Sequence, residues 1–223
     1  MKRFLSMISL VCACTLVQAQ TDLPPVWQSD TQKEVQVSTR TIAYLPPTRI
    51  VWQETTGESS IQGLENLLLP GNGQADLFDG QITRIKNGAT GKASFLLDFG
   101  RELQGGIQVV TGRSSKKEMK IRVRFGESVS EAMCDITPEN GATNDHAIRD
   151  FYLTLPWLGV AEIGNSGFRF VRIDLEEPDA ELSLKEIRAT FGYRDIPYLG
   201  SFKCDNERLN NIWMTGAYTV HLN

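Results

Sequence analysis

The stretch MKIRVRF, residues 119–125, alternates without a break. Ile121, Val123 and Phe125 fall on one side, and Lys120, Arg122 and Arg124 on the other. That is the period-two pattern of an antiparallel strand with one face in a core. The flanking sequence repeats the theme. ASFLLDF (93–99) and GGIQVVTG (105–112) precede it, parted by GRELQ (100–104), and RDFYLTL (149–155), VAEIG (160–164), FRFVRIDL (168–175) and SLKEIRATFGY (183–193) follow. In the last, Ile187, Ala189, Phe191 and Tyr193 share a face. Upstream, VQVSTRTIAYL (35–45) and RIVWQ (49–53) bracket Pro46-Pro47, which confine pairing to a turn or an edge. Residues 54–80 are rich in glycine and read as loop, with one helical turn at LENLLL (64–69). Helices do not alternate with strands before residue 200. Many short strands joined by Gly, Pro and Asn turns predict an all-β antiparallel sandwich over residues 35–197.

The bulk composition suits such a domain. The 223 residues are 22% charged and 41% hydrophobic, ordinary for a globular chain. A net charge of −4 leaves no basic footprint for nucleic acid. The N-terminus is distinctive: Lys2 and Arg3 precede an apolar run from Phe4 to Val17, then Val17-Gln18-Ala19. This predicts a secretory signal peptide over 1–19, cleaved after Ala19, and a polar leader over 20–34. The apolar run is too short for a permanent membrane span. Val11-Cys12-Ala13-Cys14 offers a rival processing site, a lipoprotein box acylating Cys14, although Cys12 fits its middle position poorly. Either route exports the protein to the periplasm or beyond. Cys134 and Cys204 then remain in the mature chain, and spacing leaves open whether they pair or stay free.

After the linker YLGSFKC (198–204), DNERLNNIWMTGAYTVHLN (205–223) reads as a helix of a different fold type. Asp205 is the expected cap. Leu209, Ile212, Trp213, Gly216, Ala217 and Val220 recur at helical spacing as an apolar or small-residue stripe. A lone amphipathic helix of this length is marginal in water, so the stripe is expected to pack on further chain.

Generic catalytic motifs are absent. His146 and His221 are far apart, and no cysteine pair beyond residue 19 has zinc spacing. The interval from Gly100 to Gly105 lacks the Lys-Ser/Thr of a phosphate loop and reads as a turn needing positive φ. CDITPENGATNDHAIRD (134–150) is the most polar stretch. Asp135, Glu139, Asn140, Asn144 and Asp145 can gather around calcium or accept sugar hydroxyls, and a solvated edge loop explains them equally. DLFDG (76–80) has the same two readings. Glu127, at a strand end, can act as an acid or pair with a nearby arginine. Trp157, in LPWLG, can stack on a sugar ring or plug the space under a turn. Trp157 and Asp145 are the candidate carbohydrate-binding residues. Calcium is a weak candidate cofactor, with no other cofactor indicated.

Taken in order, LLDFGRELQGGIQV, IRVRFGES, HAIRDFYLTL, GFRFVRIDL and LGSFKCDNERLNNIWMTGAYTVHLN resemble bacterial α-L-rhamnosidases of glycoside hydrolase family 78, over residues 93–223. The resemblance implies a concanavalin-like or jelly-roll β-sandwich, followed at 198–223 by a linker and the first helix of a six-hairpin α/α barrel cut after Asn223. It also implies an inverting hydrolase whose two carboxylates flank a water. Those carboxylates lie in the barrel, and no position here matches them, so no catalytic residue carries over. GREL departs from the GQN-like turn common in that family. The resulting expectation is the non-catalytic sandwich of an exported rhamnosidase-like enzyme, inactive alone, whose partners are carbohydrate and the missing barrel. A stand-alone carbohydrate-binding module and an inactive fragment of a broken gene are the rival expectations.

Overall fold

The computed structural model describes residues 40–75, 77, 80–137 and 149–222. Nine strands follow one another: β1 (Thr41–Leu45), β2 (Arg49–Thr55), β3 (Ser60–Gln62), β4 (Thr83–Asn87), β5 (Ala93–Thr111), β6 (Glu118–Gly126), β7 (Arg149–Pro156), β8 (Gly159–Leu175) and β9 (Ala180–Tyr193). Helix α1 (Val129–Met133) lies between β6 and β7, and α2 (Glu207–Leu222) follows β9. Every ladder is antiparallel. The fold is an all-β sandwich, as the alternation predicts.

Its two layers share strands. The first half of β5 (93–98) pairs with β2 and with the end of β8, which in turn pairs with β6 and then β7. The second half of β5 (103–111) pairs with the start of β8 and with β9, which also carries β1 and β4, with β3 beyond β4. This corrects the expected turn at GRELQ: residues 100–104 are the bend of one continuous strand. The register shifts between Asp98 and Leu103 and again between Gly105 and Ile107, and such bulges bend a strand. Gly100 (φ 86°) and Gly105 (φ 143°) adopt the expected positive φ. A Cβ on Gly105 would run into the Thr190 carbonyl oxygen, so close sheet contact also demands glycine there. VAEIG and FRFVRIDL are likewise one strand. Residues 54–80 are not all loop, because Ser60–Gln62 forms β3; LENLL does form a 3₁₀ turn (Leu64–Leu68).

On either side of its bend, β5 sends alternate residues into the core. Phe95, Leu97, Ile107 and Val109 join Ile121, Val123 and Phe125 of β6 and Ile187, Ala189 and Phe191 of β9 in one core. Phe168 meets Phe125 edge-on at 5.0 Å and Phe99 at 5.6 Å. The outer face of the first layer departs from a solvated polar face. Leu96, Phe170 and Ala132 form a second buried cluster, against which Trp52 and Met133 pack. Beside it Arg124, expected to face water, is buried against Asp174 at 2.9 Å. Helix α1 closes over this layer. Ser128 and Glu131 form its capping box, an S-x-x-E signal legible in the sequence.

At α2 the expected cap is corrected. The Asn206 side chain, not that of Asp205, accepts from the N–H groups of Arg208 (3.0 Å) and Leu209 (3.3 Å). These are the second and third positions of the first turn, which a cap residue serves. No disulfide joins Cys134 and Cys204.

Candidate functional site

Two surfaces of the sandwich invite a functional reading. The first is a groove between the β5–β6 connection and the β7–β8 turn, about 570 Å³ in volume. Its first wall is Ser115, Lys116, Lys117 and Glu118, and its second is Pro156, Trp157 and Leu158. The turn that carries Trp157 is pinned from several sides. The Thr111 hydroxyl accepts from the Gly159 N–H (2.9 Å) and lies 3.1 Å from the Pro156 carbonyl, while Ser114 N–H donates to the Trp157 carbonyl (3.2 Å). The opposite wall is tied to the start of β9. Ser115 N–H donates to the Glu181 carbonyl, and Glu181 N–H donates to the Ser115 hydroxyl, each at 2.8 Å. Lys116 Nζ donates to the Pro178 carbonyl at 2.7 Å and lies 3.3 Å from Glu177.

Trp157 is 42% exposed and lines this groove, so it does not plug the space under its turn. Asp145, with Glu139, Asn140, Asn144 and His146, lies outside the described residues. Asp135, the described member of the calcium candidates, bridges Arg122 (3.1 Å) and Arg124 (2.9 Å). Among the described residues no cluster of three or more His, Cys, Asp or Glu is placed to hold a metal. Lys117 and Glu118 were not legible as groove residues, because the two walls lie about forty positions apart in the chain.

The second surface is the outward face of α2. Leu209, Ile212 and Val220 of the expected stripe are 48%, 59% and 57% exposed. The helix docks through other residues. Tyr218 Oη donates to the Glu102 carbonyl, the His221 ring nitrogen Nδ1 lies 2.8 Å from the Arg194 carbonyl, and Leu222 packs on the core. Tyr198 from the linker rests against His221, with ring centroids 4.7 Å apart. An apolar hollow of about 310 Å³ opens there, lined by Ile196, Pro197, Tyr198, Leu199, Ala217, Val220 and His221.

Beside the bend of β5, at Gly167 of β8, lies a group of carboxylates. Those of Glu102 and Glu127 both face the Cα of Gly167. Burial, then the charges of Glu127 and Glu131, push Glu102 up to about 7. Nearby, burial raises Asp98, but hydrogen bonds from Arg169, Gly100 N–H and Arg49 outweigh it and hold that carboxyl down at about 2. Asp98 is thus a fixed anion that anchors the bend, whereas Glu102 titrates near neutrality.

No family model matches the sequence, and no curated protein matches it. Solved structures do. A rhamnosidase from Klebsiella oxytoca, determined with rhamnose bound, matches with a TM-score of 0.53 at 13% identity, over 82% of this chain and 35% of that one. A family 78 rhamnosidase of Bacillus sp. GL1 matches with a TM-score of 0.46 at 21% identity, over 72% of this chain and 15% of that one. A fucose-binding module of Streptococcus pneumoniae, SpX-3, matches with a TM-score of 0.40 at 16% identity, over 65% of this chain and 97% of that one. The chain thus spans about a third of the Klebsiella protein, with which it shares a fold.

Proposed function

We propose that this chain is the non-catalytic sandwich portion of an exported α-L-rhamnosidase-like glycoside hydrolase, and that α2 is where an α/α barrel joins it. The observation that carries this reading is the outward apolar stripe of α2 beside the hollow at Tyr198. Leu209, Ile212 and Val220 stand in water on a helix with no buried residue, and burying each such side chain is worth about 1.5–3 kcal/mol. A neighbouring helix of the same period is the natural cover for a stripe of this spacing. The fold shared with the rhamnosidase from Klebsiella oxytoca supports the assignment, as do the motifs of residues 93–223.

In this reading the sandwich orients the barrel and contributes no acid or base, and the signal over residues 1–19 directs export. Reading the coding sequence past codon 223 tests it. An in-frame run of amphipathic helices with paired carboxylates is the expected result, and a stop codon with no such region downstream overturns it. The isolated chain is expected to release no aryl alcohol from aryl α-L-rhamnosides above a buffer blank.

A further inference from the structure

We propose that the Trp157 groove is a docking site for a neutral glycan, remote from the α2 face. It rests on the carbohydrate-handling reading above and adds the site, its residues and the class of sugar. The groove meets β9 at its first residues, through Ser115 and Glu181, whereas α2 meets it just past its last, through Arg194 and His221. At about 3.3 Å per residue the two surfaces lie roughly 40 Å apart along the strand. A glycan held at Trp157 therefore leaves the α2 face free.

The lining matches a pyranose. A sugar ring offers an apolar C–H face and a rim of hydroxyls that both donate and accept. The exposed indole, flanked by Pro156 and Leu158, supplies a flat apolar platform. Lys117 supplies donors and Glu118 acceptors on the facing wall. A groove of about 570 Å³ falls within the range of small-molecule sites, which combine apolar walls with a few polar groups. Both walls are already fixed by Thr111, Ser114, Ser115 and Lys116, so little ordering entropy is lost on binding.

Charge selects the class. Lys116 is engaged by Glu177 and the Pro178 carbonyl, and Glu118 offsets Lys117 on the same wall. The groove therefore presents no net positive charge to a uronic acid, and the chain's net charge of −4 makes an acidic glycan the weaker ligand.

Affinity electrophoresis of the full chain in gels containing arabinogalactan, galactan, xyloglucan or polygalacturonate tests this. The expected result is retardation by at least one of the three neutral glycans, weakened about tenfold or more by Trp157→Ala and less by Glu118→Gln. Both side chains are exposed, so circular dichroism is expected to show both variants folded. Retardation that Trp157→Ala leaves intact overturns the proposal. So does retardation by polygalacturonate that matches or exceeds that by the neutral gels, or none in any neutral gel. None of these outcomes touches the barrel-supporting role, which the downstream coding sequence decides.

Discussion

Arg124 Nη2 lies 2.9 Å from Asp174 Oδ2, and both side chains are only 2% exposed. The pair sits on the outer face of the first layer, under α1, where the strand pattern calls for a water-facing side. Arg172 shares the Asp174 carboxylate at 2.8 Å and lies over the Trp52 ring at 5.0 Å. Burial pushes Asp174 up, but the Ser94 hydroxyl and the two guanidinium groups outweigh it, so the carboxyl stays below its usual range.

Removing one partner of a buried pair strands the other's charge. Asp174→Leu leaves Arg124 to the largely exposed Asp135, and is expected to destabilise the protein by about 3–5 kcal/mol. The double variant Arg124→Met/Asp174→Leu recovers a large part of that loss. Urea denaturation of the single and double variants measures both.

Asp98 sets an acid limit. Its folded value of about 2 lies below the ordinary 3.8, so its contribution is complete above pH 4 and is lost as the pH falls towards 2. Asp98→Asn is expected to be less stable than the parent at pH 6, with the gap narrowing between pH 4 and pH 2. Thermal melts across that interval report it.

Glu102 acts with the opposite sign. Its folded value of about 7 exceeds the ordinary 4.5, so the folded state binds a proton more tightly and stability falls as the pH rises from 4.5 to 7. Glu102→Gln removes that penalty. It is expected to raise the melting temperature by a few degrees at pH 8 and hardly at all at pH 4.5. A parent and variant with the same pH profile would mean that Glu102 ionises freely.

The bend in β5 depends on glycine. Gly105→Ala places a methyl group against the Thr190 carbonyl at φ 143° and is expected to cost several kcal/mol or prevent folding. Gly216→Ala is the control. It meets nothing within 4 Å in the middle of α2, and alanine favours a helix by up to about 1 kcal/mol over glycine. Chevron or equilibrium denaturation compares the two.

Much of the sandwich was legible in the sequence. The alternation in MKIRVRF and SLKEIRATFGY determined which side chains enter the core, because a strand's period of two leaves each residue one of two faces. The 3.6-residue period of 205–223 similarly marked α2. Tertiary structure decided what local pattern leaves open. GRELQ begins and is followed by a glycine of positive φ, as a turn would be, yet the strand pairing before and after it makes it the bend of one long strand. Alternation put Arg124 opposite the core but is blind to a second cover on that side, so its burial under α1 came only with the fold. The stripe of α2 predicted an apolar face, but docking went to Tyr218, His221 and Leu222, whose partners lie at Glu102, Arg194 and the core. The Trp157 groove joins two walls about forty residues apart, a proximity set by the pairing of β6 with β7 and by no feature of either segment alone.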